Sequence, residues 1–352
     1  MPDPKTVLDL AAEFDAALAR KDAVALNRLI KAYGGLYTRL RDKIDALTLQ
    51  IGAEEMTRGQ VTQLERYKSL VRQVENELDD FSGYLKTELR DVSLSGIASG
   101  TKAARGLVGA VVGADSGIMA GFNVLPTKTI ERLLGFLDPE GPLYKRIDKL
   151  AGYNAKRVAD AILEGVGLGH NPRKIAAAIK HEMGGGLTDA LRMTRTAQIY
   201  SYREATRANY IVNSDVVGGW IWVAAIAQSR TCLSCISQHG TKHPLTETLQ
   251  DHYNGRCAMI PAVVGAENPI TQMGEDYFNS LPEAQQRQMM GNRYDMWKKG
   301  EFSFGDLSKV SKDEVYGDMR TVASAKDLRA NGQGLWRESY RDFVNGPGRD
   351  VF

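Results

Sequence analysis

The sequence predicts a mainly α-helical protein of the α+β class, with an N-terminal helical hairpin, a central helical domain, a small β unit built on a cysteine–histidine knuckle, and C-terminal helices. Three observations lead there. Apolar residues recur at steps of three and four over most of the first half, the period of a helix buried on one side. One run, Val216-Val217-Gly218-Gly219-Trp220-Ile221-Trp222-Val223, has the β-branched and aromatic composition of a strand. All three cysteines and three of the five histidines fall within 26 residues.

Residues 1–95 read as a helical arm or hairpin. A first helix over 5–30 carries Val7, Leu10, Phe14, Ala17 and Leu18, and Gly34-Gly35 is expected to break the chain. Leu36, Leu40, Ile44, Leu47 and Ile51 form a second stripe, followed by a polar turn around Gly52 to Gly59. Leu64, Tyr67, Val71, Val74, Leu78, Phe81 and Leu85 then make a heptad seam. Antiparallel pairing would bury these stripes, within one chain or between subunits.

Residues 96–124 form a Gly-rich helix or linker, with Gly109, Gly113, Gly117 and Gly121 four apart. From Gly106 to Thr127 the only charge is Asp115. The apolar residues there would favour membrane insertion by roughly 3–4 kcal/mol and the central Asp costs about 2.5–3.5 kcal/mol. The balance is near zero, so no membrane span is expected: a smooth-faced helix or flexible linker packed against protein is the first reading, and a membrane-active segment the alternative.

Residues 125–212 predict a helical domain punctuated at 138–142, at 165–172 and at Gly184-Gly185-Gly186, with its last helix starting near Leu187. Arg192, Arg195, Arg203 and Arg207 fall close to one face of that helix, against Asp189 and Glu204. This is either a salt-bridged solvated face or a docking face for an acidic partner or a DNA backbone. Residues 213–265 form the β unit, where 258–263 is the partner strand and Pro261 marks an edge or end. Over 266–328 helices return. Ser280-Leu281-Pro282-Glu283 reads as a capping box for a helix reaching Met290 and stopping at Gly291. The Gly-rich polar stretch 329–352 is expected to be an extended tail.

At 352 residues the chain is long enough for two or three cored units, and 43% hydrophobic with 25% charged content places it among ordinary globular proteins. A net charge of +2 fits neither a polyanion-coating protein nor an acidic disordered one. Met1 to Arg20 carries four acidic residues and no apolar core, so no signal peptide is expected. Three clustered cysteines do not make a disulfide framework, and a reducing compartment fits them better.

The chemistry lies in the cluster. Cys232-Leu233-Ser234-Cys235 can turn two thiolates toward one tetrahedral ion, and His252 with Cys257 supplies a second pair after a loop. Cys232, Cys235, His252 and Cys257 together would close a structural zinc site, leaving no position for water or substrate. His239 and His243 compete for the fourth place. His252 is preferred because it pairs locally with Cys257, whereas His239 lies close behind Cys235. The alternative is a small sheet holding reduced, buried cysteines. Catalytic patterns fail: no His-x-Glu precedes the Cys pair, His181-Glu182 lacks a second His four residues on, and Gly96 to Lys102 misses the phosphate-loop spacing. No enzyme is expected.

In order, Trp220-Ile221-Trp222, Ser229-Arg230-Thr231-Cys232-Leu233-Ser234-Cys235, Gly240-Thr241-Lys242, His252 to Arg256-Cys257, and Ile260-Pro261 resemble the phage Mu F-like head-morphogenesis family. Arg195-Thr196, Tyr202-Arg203-Glu204-Ala205, Ser280-Leu281-Pro282-Glu283, Gly291-Asn292-Arg293-Tyr294 and Trp297-Lys298-Lys299-Gly300 also look like the family, so the likeness spans roughly 125–310 and leaves 1–95 unexplained. One departure stands out: the family's His-x-x-Cys-Arg-Cys is here His252-Tyr253-Asn254-Gly255-Arg256-Cys257, with Gly255 where the first late cysteine stands. The resemblance implies a minor head (capsid) protein of a tailed bacteriophage, assembled in the host cytoplasm and carried in the virion. It would dock near the portal and act in head assembly, genome packaging or genome ejection. Its implied partners are the portal protein, the major capsid or scaffolding protein, and packaged DNA. The competing reading is a zinc-ribbon-like nucleic-acid-binding adaptor, against which Arg230, Lys242 and Arg256 form too sparse a basic surface.

Overall fold

The computed structural model describes residues 6–54, 56–135, 138, 140–168, 170–226, 231–249 and 251–331. The protein is mainly helical with a small antiparallel sheet region, as its sequence predicts. It opens with helix α1 (Val7–Glu54), the short α2 (Arg58–Gln63) and α3 (Glu65–Val112). Thr57 starts α2 through a capping box with Gln60. After α4 (Gly117–Ala120) and α5 (Thr127–Leu134) come α6 (Pro142–Gly167) and α7 (Pro172–Ile211). Gly141-Pro142 opens α6, and the Asn171 side chain, accepting from Lys174 N at 3.0 Å, opens α7. The chain divides into two units, one made of 18–95 and 131–198, the other of 1–17, 96–130 and residues from 199 on.

In the first unit, Arg28 Nη2 meets Glu88 Oε2 at 2.8 Å and Arg39 Nε meets Glu77 Oε2 at 2.8 Å. Eleven residues forward on α1 match eleven back on α3, so the two run antiparallel within one chain. Leu29, Leu36, Leu40, Ile44 and Leu47 on α1 and Leu70, Val74, Leu78, Phe81 and Leu85 on α3 are buried. The seam differs at its start, where Leu64, Tyr67 and Val71 are only half-buried.

Two expected breaks do not occur. Gly34-Gly35 lies inside α1, and Gly184-Gly185-Gly186 lies inside α7. A helical glycine costs about 1 kcal/mol against alanine, less than the burial of Tyr33 and Leu36, which holds the helix on both sides of the first pair. Gly186 has a packing reason as well: a Cβ there would lie 2.4 Å from Asn154 Nδ2 and 2.9 Å from Tyr33 Oη.

In the second unit, α3 continues as the smooth helix of the Gly-rich stretch. A Cβ on Gly100 would stand 2.1 Å from the Tyr202 carbonyl oxygen, so glycine is what lets α3 and α7 touch. α3 ends at Gly113, whose φ is +90°. No helix among the described residues is long and apolar enough to cross a membrane.

The β unit follows as β1 (Val217–Val223), α8 (Leu233–Gln238), β2 (Lys242–His243) and β3 (Ala258–Val263). The sheet order is β2-β1-β3, antiparallel throughout, with Trp220 opposite both His243 and Pro261 and Trp222 opposite Met259. Pro261 thus sits on an edge strand.

Next come α9 (Gly274–Ser280), α10 (Glu283–Met290) and α11 (Tyr294–Lys298). α10 stops at Gly291 as expected, but Pro282 stands at its N-cap, and the Ser280 hydroxyl donates back to Tyr277 O at 2.6 Å instead of capping. The stretch 266–328, where the sequence predicts helices alone, also holds a hairpin: β4 (Ser308–Asp313) and β5 (Gly317–Val322). Its turn is made by Asp313 Oδ1, which accepts from Val315 N at 2.8 Å and Tyr316 N at 3.0 Å, and by Gly317 at φ +75°. α12 (Ala325–Asn331) occupies the start of the expected tail, and the rest of that tail lies outside the described residues.

Candidate metal centre

The centre is built between the ends of β1 and β3. Trp220, Trp222, Leu249 and Met259 form the apolar floor that also buries Cys235 and Cys257. Cys232 has extended backbone and caps α8, its Sγ accepting from Cys235 N at 3.4 Å. That turn puts both thiols of the first pair on one side. The second pair is delivered by a tight turn in which Gly255 N donates to His252 O at 2.8 Å and Asn254 takes φ +61°.

The donor atoms of Cys232, Cys235 and His252 lie within 4.8 Å of one another, and so do those of Cys235, Asp251 and Cys257. Cys235 belongs to both groups, and its Sγ is 3.6 Å from His252 Nε2. His252 Nδ1 donates to Tyr253 O at 2.9 Å, which fixes the ring and turns the Nε2 lone pair toward the sulfurs. Bonds of about 2.3 Å to sulfur and about 2.0–2.1 Å to nitrogen require donor spacings of this order. Cys232, Cys235 and His252, with Cys257 joined to them through Cys235, are thus near enough to hold a metal ion, and a sulfur-rich donor set of this kind is the chemistry that zinc takes.

Without a metal the same atoms share protons. The hydrogen bond from Cys235 and the neighbouring His252 bring the Cys232 thiol down to about 4, against the burial that would raise it. Hydrogen bonds to Cys232 and Cys257, then burial, push the Cys235 thiol well up. The bond to Cys232 raises His252 to about 9. Cys232 is therefore the first of this pair to give up its proton, and metal uptake must displace protons held by Cys235 and His252.

Cys257 has an anchor of its own. Arg203, fully inside the protein, grips Asp251 with Nη1–Oδ1 at 2.6 Å and Nη2–Oδ2 at 2.9 Å, and its Nη2 also donates to the Cys257 carbonyl at 2.6 Å. Asp251 Oδ2 accepts from Cys257 N at 3.2 Å. Both carboxylate oxygens are thus hydrogen-bonded to Arg203 or to Cys257 N, which braces Cys257. Gly255 belongs to this brace: a Cβ there would fall 2.0 Å from the Asp251 carboxylate. The sequence offers Arg203 only as a docking candidate and does not single out Asp251 at all, because no spacing rule links residues 48 apart.

The competing histidines are committed elsewhere. His239 Nδ1 accepts from Ala224 N at 3.0 Å, and burial lowers its pKa. His243 stacks on Trp220 with ring centres 4.3 Å apart and bonds Glu247 at 2.9 Å and Thr241 at 2.8 Å. The four arginines do not share a free face. Arg203 is buried at the brace, which corrects its assignment to a docking surface; the helix face it occupies turns inward. Arg207 bonds Glu204 at 2.7 Å and Leu245 O at 2.8 Å, Arg195 bonds Asp22 at 2.6 Å, and Arg192 pairs with Asp189. Ser229 and Arg230 of the motif lie outside the described residues.

Comparison with protein-family models, curated proteins and solved structures gives no match.

Proposed function

We propose that this chain is a minor head protein of a tailed bacteriophage, incorporated near the portal and acting by binding alone in head assembly, genome packaging or ejection. The observation that carries the reading is the motif order of a Trp-rich strand, Cys-x-x-Cys, Gly-Thr-Lys turn, His to Arg-Cys, and Ile-Pro strand. Those stretches lie together in one small unit around the donor cluster. That order resembles the Mu F-like head-morphogenesis family. A zinc held by four protein donors has no open position for substrate, which favours a scaffold over a metal-dependent hydrolase. The implied partners are the portal and the major capsid or scaffolding protein, with packaged DNA as a further one. The arginine face read from the sequence is not part of this reading, since its charges are paired within the fold.

The test is mass spectrometry and electron cryo-microscopy of particles made by the encoding genome, both mature and DNA-free. The expected result is a low-copy component with density at the portal vertex. Absence from both particle types would overturn the assignment, and density at the tail tip alone would move it to another virion role.

A further inference from the structure

The three sulfurs of the centre are not equivalent. Cys232 is half-buried, whereas Cys235 and Cys257 are buried. Cys232 and Cys235 are three residues apart, with their sulfurs within 4.8 Å. Ile236 N donates to Cys232 O at 3.0 Å, which holds the two backbones at the short separation that a disulfide requires. Cys257 is differently placed. Arg203 and Asp251 hold its carbonyl at 2.6 Å and its amide at 3.2 Å with no help from a metal.

We propose that Cys232 and Cys235 form a reversible disulfide that excludes zinc, making the knuckle a clamp that oxidation opens. The proposal rests on the zinc reading of the centre. The oxidant is hydrogen peroxide. The sulfur of Cys232, the one solvent reaches, attacks the peroxide oxygen; the O–O bond breaks, a sulfenic acid forms and the leaving oxygen departs as water. The Cys235 sulfur then attacks that of Cys232, the S–S bond forms, the S–O bond breaks and a second water leaves. Two thiols and one hydrogen peroxide give one disulfide and two waters. From the zinc thiolate form, the same change takes up two protons and frees the ion.

The remaining donors, His252 and Cys257, are two where a structural site needs four. The clamp opens on the α8 side only. Cys257 keeps its anchor, so β3 keeps its start, and re-reduction finds half of the centre in place.

The experiment uses the full chain carrying one equivalent of zinc and no excess, treated with hydrogen peroxide and then with a thiol reductant. Expected are release of one zinc per two thiols lost, a fall from three free thiols to one, and a Cys232–Cys235 bond in peptide mapping. The reductant should restore uptake. A disulfide that includes Cys257, thiol loss with zinc retained, or a sulfinic acid on Cys232 would overturn the proposal. Zinc that never binds overturns the metal reading instead. In that case mapping of the oxidised metal-free chain decides the disulfide alone: Cys232–Cys235 supports it, and any other product overturns it.

Discussion

Along α1 and α3, ten buried apolar side chains share the work of holding two long helices together; around Cys257 a few polar atoms do the comparable job. Leu29, Leu36, Leu40, Ile44 and Leu47 face a matching row on α3, and each contributes a similar increment of roughly 1.5–3 kcal/mol. Such a seam absorbs local faults, which is why a glycine pair can sit inside α1 without ending it. The knuckle has no such reserve. Its sheet has one two-residue strand and two longer ones, and its geometry depends on single contacts at Arg203, Asp251 and Gly255. Distributed burial tolerates error, whereas point contacts specify position and fail one at a time.

The comparison can be broken most forcefully at Leu78, which is 3% exposed. Leu78→Asp places a charge in the seam and should cost about 4 kcal/mol or more in denaturant unfolding, with zinc stoichiometry unchanged below the transition. A variant that melts like the parent would mean the seam is not closed. Arg203→Ala attacks the other region. It leaves the Asp251 charge buried and unpaired, for an expected loss of about 3–5 kcal/mol. Unlike the seam variant, it should also weaken zinc binding by roughly 10- to 100-fold in competition with a chromophoric chelator. Equal zinc affinity in the two variants would erase the distinction drawn here.

Zinc affinity sharpens the same contrast within the knuckle. His252→Ala should lower it by roughly a hundredfold, about 2.7 kcal/mol, while His243→Ala, which loses a stacked ring rather than a donor, should leave it within a few-fold. The reverse order would reassign the ligand.

A smaller effect comes from Asp15, half-buried on α1, where burial raises its pKa from 3.8 to about 7 against the pull of Arg203. Its folded pKa lies above its unfolded one, so the native state holds more protons between them. Stability should therefore fall as pH rises from about 4 to about 7. Asp15→Asn should flatten that slope, recovering roughly 2 kcal/mol at neutral pH in thermal melts across the range. The least effect is expected at Gly34, where a Cβ meets nothing within 4 Å. Gly34→Ala should stabilise α1 by about 1 kcal/mol.

What could be read in advance follows the same division. Periodicity reveals the apolar stripes of α1 and α3 because each repeats one signal over many residues, and β-branched and aromatic composition reveals β1. The glycine breaks were misjudged because local propensity is weak beside continuous burial on the opposite side of a helix. The β4–β5 hairpin was missed because Ser308-Lys309-Val310-Ser311-Lys312-Asp313 offers little apolar alternation, and only the Asp313 to Gly317 turn signals it. In the centre, residue type and spacing pick out the sulfur and imidazole donors. The brace was invisible, since an arginine on α7 and an aspartate ahead of the turn become partners only when the chain is folded.

Gly255 has a consequence for relatives of this chain. The space that a side chain at 255 would fill is the space that the Asp251 carboxylate occupies, at 2.0 Å. A cysteine there and an aspartate four residues earlier are thus mutually exclusive in this arrangement. Positions 251, 255 and 203 should change together from one sequence to the next: aspartate, glycine and arginine as one set, and a late cysteine pair with a smaller or uncharged residue at 251 as the other. A chain of the second kind would carry a fourth thiol beside Cys232, Cys235 and Cys257 in place of the buried ion pair, keeping the turn while altering the net charge enclosed.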